Sequence, residues 1–434
     1  MREGRVLRYK WGVPPSLLLL AATRSYRTDA FVESAARLGV PVVLGSDLCH
    51  QVEEAFGGHP SQVSLDFRHP SRAAERIEAL ALEHPIRGIV PTDETTAVIA
   101  ALAAERLRLP HNPVEATLRT ANKHAQRVAL AAHKLPVPPF SLHSLDGGPD
   151  VAAAHVPYPC VLKPIGLSAS RGVIRADDPA SFRAAWTRIE EILRRARAER
   201  RPSEGEVTRA ILVEGFVPGA EIAVEALLRG GRLEVLALFD KPDPLDGPFF
   251  EETIYVTPSR HARALQEEAA RLVSDGAAAL GLREGPVHAE LRLARAGPVL
   301  LEIAARTIGG LCARTLRFGA GVTLEELVVA HAMGLSPGAV ARERQASGVM
   351  MLPIPCAGIL RSVSGLEEAR GVPGVEDVVI TIPAGREVEP LPEGDAYLGF
   401  LFARGERPEE VEQALRKAHA ALRIEIRPPL ATAR

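Results

Sequence analysis

The sequence predicts an α/β fold that becomes mixed α+β toward the C-terminus. Near the N-terminus, short apolar segments alternate with helical patterns, which is typical of a parallel, doubly wound sheet. Farther along, strand patterns follow one another without a regular helix between each pair. The length of 434 residues also exceeds what one hydrophobic core usually serves, so we expect several domains.

The N-terminal unit begins with a predicted strand rather than a targeting segment. The apolar run at 17–22 follows several Arg and Lys residues, but it is short and no small-x-small cleavage site follows it. The next loop, TRSYRT, contains no glycine, so the G-x-G-x-x-G turn of dinucleotide-binding domains is absent. Further strands are predicted at 40–44 and 87–91, and helices at 29–38 and 94–107.

Composition excludes several classes of partner. Lys plus Arg is 52 and Asp plus Glu is 54, and this balance gives no overall attraction to nucleic acid or to an anionic membrane. No segment approaches the roughly 20 apolar residues that span a bilayer. The four cysteines are widely spaced and form no C-x-x-C pair, so we expect reduced thiols in a cytoplasmic protein.

The segment 286–306 predicts a β-hairpin with two acids on one face. If the hairpin is centred on Ala296, Glu290 lies opposite Glu302, with Cβ atoms about 5 Å apart. Like charges so placed need a counter-ion, and Mg²⁺ is suitable because it binds carboxylate and phosphate oxygens. The alternative is a surface hairpin with scattered charges, since a shift of one residue in the turn separates the acids. Arg306 lies close enough in sequence to reach the same centre.

A lysine followed by small residues indicates phosphate contacts. Lys163 ends a predicted strand, and the loop after it contains Gly166, Ser168, Ser170 and Gly172. Small residues allow the backbone to approach a phosphate, and their N–H and hydroxyl groups are donors. The P-loop pattern is absent. A hairpin turn rich in small residues is the alternative.

Other charged residues carry weaker signals. Glu214, Glu221 and Glu225 interrupt apolar strands, which indicates buried acids that need a partner such as a ribose hydroxyl; an exposed edge strand is the alternative. Lys123 and Arg127 share one face of a helix predicted over 114–133, a pattern typical of a solvated face. Asp240, Lys241 and Asp243 are typical of a solvated turn, and His288 of a structural residue.

The order of these parts resembles the ATP-grasp superfamily over roughly 85–335. The segments GPFFEETIYVTPSR and VHAEL…LLEIAARTIGG look most like its branch of L-amino acid ligases and carnosine-synthase-like enzymes. The resemblance implies an ATP-grasp fold with three parts. These are a Rossmann-like pre-ATP-grasp domain at 1–112, an ATP-grasp domain at 113–340 with a lid at about 152–213, and a small C-terminal closing domain at 341–434.

The resemblance also implies a site for ATP and Mg²⁺ (or Mn²⁺). Two lysines would hold the phosphates, a lid loop would cover them, a linker would contact adenine, one acid would bind ribose, and two acids would bind the metal. The matching lysines are Lys123 and Lys163, and the matching lid-loop residues are Ser168, Ser170 and Gly172. Glu214, Phe216 and Val217 match the adenine linker, Glu221 matches the ribose acid, and Glu290 and Glu302 match the metal acids.

The implied activity is that of an ADP-forming carboxylate-amine ligase that makes an amide, of dipeptide type, through an acyl phosphate. Arg306, Glu252 and Lys163 match its catalytic residues. The substrates, a small carboxylate and an amine, would contact Glu252, His288, Arg306, Gly309 and Gly310. A homodimer is the expected assembly of such an enzyme.

Two departures from the family pattern concern metal number and specificity. Ala304 stands where many members have Asn after the second metal acid, and Tyr255 stands where dipeptide-forming members have His. Two alternatives remain open. One is an ATP-grasp enzyme of purine or carboxylase type that uses formate or bicarbonate; the other is a catalytically inactive nucleotide-binding protein.

Overall fold

The structure is a computed structural model that describes residues 14–22, 27–47, 62–199, 209–336 and 341–428. Most of the glycine-free loop TRSYRT and Cys49 lie outside these residues. No helix in the described ranges is both long enough and apolar enough to cross a membrane.

The N-terminal unit is a four-stranded parallel sheet in the order β3-β2-β1-β4, which confirms the predicted doubly wound arrangement. Its leucine-rich first strand is completely buried because helices cover the sheet. Its elements are β1 (Ser16–Leu20), α1 (Thr28–Arg37), β2 (Val42–Ser46), β3 (Gln62–Ser64), α2 (Pro70–Leu80), β4 (Ile86–Pro91) and α3 (Glu94–Arg106).

Two short helices follow, α4 (Val114–Thr120) and α5 (Lys123–Ala132), where the sequence predicted one helix. The prediction was wrong because Asn122 caps a new helix: its side-chain oxygen accepts the Ala125 N–H at 3.0 Å. Lys123 is consequently the first residue of α5, and its own N–H donates to the Ile165 carbonyl at 2.9 Å.

The next region is a four-stranded antiparallel sheet in the order β5-β8-β6-β7 with one long helix. The apolar face of the long helix, including Phe182, Trp186 and Ile189, packs on the sheet. The elements are β5 (Phe140–Ser144), α6 (Pro149–Ala153), β6 (Cys160–Pro164), β7 (Ile174–Ala176), α7 (Pro179–Glu199) and β8 (Ala210–Gly215). We call this region the lid.

The largest sheet in the described residues is antiparallel and has eight strands. In spatial order its strands are β13 (Gly297–Ala304), β12 (Gly285–Ala294), β9 (Ala220–Arg229), β10 (Arg232–Lys241), β11 (Ile254–Thr257), β16 (Ala346–Leu352), β20 (Gly399–Gly405) and β18 (Val375–Ile380). Three of these strands come from the region predicted as the C-terminal domain, so that region extends the central sheet.

Two long helices cover the back of this sheet. Helix α8 (Arg263–Leu280) packs on the side chains of Val224, Val287 and Ile303, and helix α11 (Pro408–Ala421) packs on β16 and β20. Because side chains alternate along a strand, the other face, which we call the front, carries Glu221, Glu225 and their neighbours.

The remaining elements connect the parts. Helix α9 (Leu324–Ala332) packs Val328 and Val329 against Leu17, Leu19 and Val90 of the N-terminal sheet. The others are β14 (Arg317–Phe318), β15 (Val322–Thr323), β17 (Gly358–Ser364), α10 (Leu366–Arg370), β19 (Glu387–Val388) and β21 (Arg423–Arg427). The domain limits at 112 and 340 stay predictions.

Candidate functional site

A cavity of about 430 Å³ lies between the N-terminal sheet, the lid and the front of the eight-stranded sheet. All but one of the site residues predicted from the sequence line it. They are Lys123, Lys163, Ser168, Ser170, Glu214, Phe216, Val217, Glu221, Glu252, His288, Glu290, Glu302, Arg306, Gly309 and Gly310. Residues spread over almost two hundred positions of sequence therefore meet at one place.

The hairpin of β12 and β13 places Glu290 directly opposite Glu302, as predicted. The turn, however, is Arg295–Ala296, so residues near it pair as Ala294 with Gly297 and Leu291 with Leu300. A bulge at Leu301 then shifts the register by one, and without it Glu290 would face Leu301. The bulge, rather than the centre of the turn, brings the two acids together.

Lys123 provides a positive charge beside this pair. Its ammonium lies 3.3 Å from Glu302 Oε1 and donates to the Leu167 carbonyl at 2.8 Å. Burial disfavours the charged ammonium, but the carboxylates of Glu302 and Glu94 raise the pKa of Lys123. The prediction of a solvated helix face was wrong, because this face of α5 is covered by the hairpin and the lid.

Glu214 joins the two other basic residues of this region. Its carboxylate accepts a short hydrogen bond from Arg127 and lies 2.7 Å from the Lys163 ammonium. Burial opposes ionisation of Glu214, yet Arg127 and Lys163 lower its pKa to about 2. The carboxylate is therefore an ion-pair acceptor that orients Lys163. Glu214 is a buried acid with a partner, as predicted, but its partners are two cations and not a ribose or adenine group.

The linker after β8 is only partly free for a ligand. The N–H of Phe216 donates to the Pro159 carbonyl at 3.0 Å, so this donor is used within the chain. Two guanidinium groups approach the Phe216 ring, with Arg175 Cζ 4.2 Å and Arg292 Cζ 5.7 Å from its centre. Phe216 still lines the cavity.

Lys241 lies among three acids on the front of the sheet. Its ammonium is 2.6 Å from Glu221 and 3.4 Å from Glu290, and it makes a short contact with Glu252. Arg292 adds a second cation 3.0 Å from Glu221. Lys241 is only 5% exposed, so the solvated turn predicted here was wrong.

The same three acids form a possible metal-binding group. Among the described residues, Glu221, Glu252 and Glu290 are the set whose carboxylate oxygens come within 4.8 Å of one another. The Lys241 ammonium already neutralises part of this charge. Glu302 is not in that set, because its carboxylate is turned toward Lys123.

Glu252 and Tyr255 form a polar pair at the far side of this cluster. The Tyr255 hydroxyl donates to Glu252 Oε1 at 2.9 Å. Burial, aided by Glu290 and Glu221 and opposed by Lys241, raises the pKa of Glu252 to about 7. A carboxyl with such a pKa can take up or release a proton near neutral pH.

His288 is held between two acids. Its Nδ1 lies 3.1 Å from Glu225 and its Nε2 lies 3.3 Å from Glu290. Burial disfavours the imidazolium, but these hydrogen bonds raise the pKa of His288 to about 9. A charged His288 holds Glu290 through this contact, and its predicted contact with a substrate stays a prediction.

Arg306 reaches across to the N-terminal unit. Its Nη2 and Nε donate to Glu94 Oε1 at 2.8 and 3.1 Å. Burial opposes ionisation of Glu94, but the charges of Arg306 and Lys123 lower its pKa. Arg27, also from the N-terminal unit, donates to the Thr92 carbonyl at 2.7 Å and to the Thr307 hydroxyl. The segment after β13 is thereby tied to the N-terminal sheet.

The loop after Lys163 has an unusual backbone. Ala169 and Ser170 both have a φ of 55°, which costs a non-glycine residue roughly 1 kcal/mol. Gly172, at φ +74°, is needed because a Cβ would lie 2.6 Å from Pro164 Cγ. Its N–H donates to the Pro392 carbonyl at 2.8 Å, and it is the one predicted residue outside the cavity lining, so its assignment as a phosphate donor was wrong.

Several residues of the site were not found from the sequence. Arg127, Lys241, Arg292 and Glu94 all bind predicted residues, but each partner is distant in sequence. For Arg292 a signal existed: it lies in a strand that alternates apolar and charged residues, with the charged residues on the same face as Glu221.

Three family models match the chain in order. An ATP-grasp N-terminal domain matches residues 32–111, an ATP-grasp domain matches 156–315, and the L-amino acid ligase C-terminal domain 2 matches 350–427. Together they cover most of the described sequence, and the ATP-grasp match contains the candidate metal and phosphate residues other than Lys123.

Individual relatives agree with these matches. The crystal structure of the L-amino acid ligase from Bacillus licheniformis superposes with a TM-score of 0.77 at 26% identity, over 95% of this chain and 99% of that one. Carnosine synthase 1 from Gallus gallus is 30% identical over 70% of this chain, but the chain spans only about a third, 34%, of its length. An uncharacterized protein, y4rH from Sinorhizobium fredii, is 25% identical over 86% of this chain and 75% of its own length.

Enzymes of the ATP-grasp family generally use ATP and Mg²⁺ and act on small molecules. The fold, the order of the three matched domains and the set of residues around the cavity all agree with that family. The chain belongs to the ATP-grasp superfamily, and the L-amino acid ligase from Bacillus licheniformis is among the proteins that it resembles over nearly its whole length.

Proposed function

We propose that the chain is an ATP-dependent carboxylate-amine ligase that joins two amino-acid-like substrates and releases ADP and phosphate. One observation carries the proposal: the opposed carboxylates of Glu290 and Glu302 face a cavity that also receives cations from Lys123, Lys163 and Arg306. A polyphosphate with a hard divalent metal requires both kinds of group at one place. The likeness to the Bacillus licheniformis L-amino acid ligase supports an amino acid as substrate.

The residues present fit Mg²⁺ (or Mn²⁺). Glu290 and Glu302 would hold it, since carboxylates are the ligands that these ions prefer. In the structure the charge of Glu290 is balanced by Lys241 at 3.4 Å, and the charge of Glu302 by Lys123 at 3.3 Å. The site therefore already requires positive charge at these positions. When bound, the ion supplies neutralisation of the charge that develops on the transferring phosphoryl group.

The first step uses the cationic side of the cavity. A carboxylate oxygen of one substrate attacks the γ-phosphorus, the bond from that phosphorus to the bridging oxygen breaks, and ADP leaves. Lys123 and Lys163 would bind phosphate oxygens, and Arg306 would stabilise the negative charge of the acyl phosphate. The loop at 166–173 would exclude water, which otherwise hydrolyses that intermediate.

The second step uses the acidic side. The amine of the other substrate attacks the acyl carbon, and phosphate leaves with the electron pair of the broken C–O bond. Glu252 would orient the amine and accept its proton, which suits a carboxyl whose pKa burial raises to about 7. Tyr255 would fix the Glu252 carboxylate through its 2.9 Å hydrogen bond.

The metal assignment predicts that Glu302→Ala lowers ADP formation by more than about a hundredfold, since even residues that only orient metal ligands are worth 10–100-fold. Steady-state ADP release at saturating MgATP measures this. Glu267→Ala is the control, because Glu267 lies on the exposed side of α8, where it forms an ion pair with the exposed Arg263. Near-normal turnover of Glu302→Ala would contradict the assignment.

The activity is tested by ADP release across a matrix of single and paired amino acids, with mass spectrometry of the products. Release that requires two amino acids, with a new dipeptide mass, is the expected result. If ADP release required formate or bicarbonate instead, the chain would be an ATP-grasp enzyme of the purine or carboxylase type. Tight binding of MgATP without any release would indicate an inactive nucleotide-binding protein.

A further inference from the structure

Glu225 is a completely buried carboxylate on the front of the eight-stranded sheet, and it does not itself line the cavity. It lies on β9 directly opposite His288 of β12. Its neighbours on the same face, Ala223 and Leu227 of β9 and Ala237 of β10, are apolar and buried. A carboxylate in such surroundings is unfavourable unless it is hydrogen-bonded, so its partners indicate its role.

One oxygen of Glu225 makes the polar contacts of this side chain. Oε1 accepts a short hydrogen bond from the Ile308 N–H and lies 3.1 Å from His288 Nδ1. Oε2 is buried and has no hydrogen-bond partner within the described residues. In the part of the chain that the structure describes, Glu225 therefore serves as an acceptor for these two groups.

The first of the two groups leads to a metal acid. The other ring nitrogen of His288, Nε2, lies 3.3 Å from Oε1 of Glu290. Glu225 thus holds the imidazole from one side, and the imidazole contacts Glu290 from the other. Residues that bind a metal ion are oriented by such neighbours, and removal of one neighbour typically weakens metal binding by roughly 10–100-fold.

The second group leads to the segment after β13. Ile308 lies two residues after Arg306, the proposed ligand of the acyl phosphate, and the next residues, Gly309 and Gly310, line the cavity. The hydrogen bond from the Ile308 N–H to Glu225 holds this segment against the front of the sheet. One carboxylate therefore contacts both the support of a metal acid and the segment that carries the arginine.

We propose that Glu225 is a positioning residue that orients Glu290 for metal binding through His288 and holds the 306–310 segment beside it through the Ile308 N–H. This inference rests on the metal assignment of the proposed function, but not on the identity of the amine or the carboxylate. Glu225 itself would contact neither the metal nor a substrate, because it lies behind His288 and outside the lining of the cavity.

Two substitutions of Glu225 separate a role in hydrogen bonding from a role in packing. Glu225→Met has a similar length but no acceptor oxygen, and its flexible apolar side chain suits the apolar neighbours Ala223 and Leu227. Glu225→Gln keeps one acceptor oxygen for Ile308 and His288. If Glu225 acts through its acceptor, Glu225→Met is defective and Glu225→Gln recovers most of what is lost.

The chain also contains a matched carboxylate away from the cavity. Glu284, which precedes β12, accepts one backbone N–H, from Gly230 at 2.9 Å, and lies 3.2 Å from Nε2 of His331. Glu284→Met therefore removes the same kinds of contact, one backbone donor and one histidine, at a place that does not line the cavity.

The experiment measures Mn²⁺ binding in the presence of a non-hydrolysable ATP analogue, from the electron paramagnetic resonance signal of free Mn²⁺. We expect Glu225→Met to weaken Mn²⁺ binding at least about tenfold, and Glu225→Gln by less than about threefold. Glu284→Met should bind Mn²⁺ like the wild type, and the affinity for the analogue in EDTA should be unchanged in all three variants. Normal Mn²⁺ binding by Glu225→Met, equal losses in Glu225→Met and Glu225→Gln, or a parallel loss of metal-free nucleotide binding would overturn the proposal.

A double substitution tests whether Glu225 acts through His288. His288→Asn removes the contact with Glu290 directly, so it should weaken Mn²⁺ binding about as much as Glu225→Met. Because the two residues form one chain of contacts, the double variant should lose little more than the larger single loss. Losses that multiply would contradict the proposed chain. If Glu225→Met does not fold, His288→Asn decides instead, and near-normal Mn²⁺ binding by that variant would refute the proposal.

The Ile308 contact is tested by turnover at saturating Mn²⁺. Glu225→Met should lower kcat for ADP formation below that of His288→Asn, because Glu225→Met alone leaves the Ile308 N–H without its acceptor. Equal kcat values in the two variants would show that Glu225 supports Glu290 but not the 306–310 segment.

Glu302→Ala separates this inference from the metal assignment. Glu302 is the opposing metal acid, and it contacts Lys123. If Glu302→Ala binds Mn²⁺ weakly and Glu225→Met binds it normally, the metal assignment stands and the positioning role fails. If the reverse holds, Glu225 positions Glu290 and the assignment of Glu302 fails. A chain that binds Mn²⁺ as expected but releases no ADP with any pair of amino acids would keep this inference and overturn the ligase proposal.

Discussion

Glu214 is a buried carboxylate of the lid whose negative charge is compensated by two cations. It is 2% exposed, and both of its oxygens are engaged, one by Arg127 and the other by Lys163. A buried carboxylate between two cations stabilises the fold only while it is ionised. The same acid therefore also fixes the position of Lys163, which is the cation proposed to bind a phosphate.

We predict that Glu214→Gln lowers the free energy of unfolding by about 3 kcal/mol at pH 7, because two buried cations lose their counter-charge. The folded pKa of about 2 lies below the ordinary value of 4.5, so the stabilisation is complete above pH 4.5 and is lost as the pH falls toward 2. Urea unfolding midpoints of the wild type and the variant should therefore converge as the pH falls from 4.5.

Glu191→Gln is the control for this prediction. Its pKa is also lowered to about 2, by hydrogen bonds from Arg194 and Arg195, but it lies on the exposed side of α7. Solvent screens such a pair, so the substitution should leave the unfolding midpoint nearly unchanged. A constant difference between wild type and Glu214→Gln from pH 7 to pH 3 would contradict the ion-pair account.

At the same scale, the sequence predicted which residues surround the cavity but not their partners. Arg127 and Glu214 are 87 positions apart, and Glu94 and Arg306 are 212 apart. A periodic pattern identifies the face of one element, not the element that covers it. The solvated faces predicted for Arg127 and Lys241 were wrong because tertiary packing buries them.

At the scale of elements, the β12–β13 hairpin was predicted from the sequence, but its turn and its bulge were not. The pair Glu290 and Glu302 was predicted from a turn centred on Ala296, whereas the turn is Arg295–Ala296 and a bulge at Leu301 restores the pairing. A bulge adds one residue without a sequence signal as clear as that of a turn. The pairing was therefore confirmed although the assumed geometry was wrong.

The lid is joined to the C-terminal region by one concentrated set of contacts. The Glu393 carboxylate accepts two hydrogen bonds from Arg188 on α7, and the Glu393 carbonyl accepts one from Arg171 at 2.8 Å. The neighbouring Pro392 carbonyl accepts the Gly172 N–H. These contacts hold the loop that contains Ser168 and Ser170 over the cavity.

We predict that Glu393→Gln raises the KM for ATP several-fold and increases ADP release that yields no amide, because a lid held less firmly admits water. The ratio of ADP to amide product measures the second effect. Glu389→Gln is the matched control, since its bridge to Arg195 is about 40% exposed on both sides and is worth little. Equal effects of the two substitutions would contradict a specific role for Glu393.

At the scale of the whole molecule, the alternation of strands and helices predicted the N-terminal parallel sheet, and the resemblance predicted the ATP-grasp fold. The extent of the central sheet was not predicted. Its strands come from distant parts of the chain, and β11 pairs with β16 although α8 and the β12–β13 hairpin lie between them in sequence. No local pattern encodes such a pairing, because it is decided by which buried faces fit together.

This topology argues that the C-terminal region does not fold separately from the site. Strand β11 carries Tyr255 and lies between β10 and β16, and all four of its residues are buried. A chain that ends at residue 340 would leave β11 as an edge strand, expose its apolar residues and uncover the front-face side chains around Phe239. We predict that this shortened chain aggregates and binds no nucleotide.

A chain that ends at residue 421 tests the same point with a smaller loss. Among the elements that the structure describes, it lacks β21 alone, which pairs with β17 in a separate three-stranded sheet and is half-exposed along its length. We expect this chain to remain monodisperse in size-exclusion chromatography, and we expect MgATP to stabilise both it and the full chain against heat. If the chain ending at 340 behaved in the same way, β16, β20 and β18 would not be needed to complete the sheet, and the C-terminal region would be an independent domain. The expected contrast between the two chains follows from where their missing strands lie, since only the longer deletion cuts the sheet that carries the site.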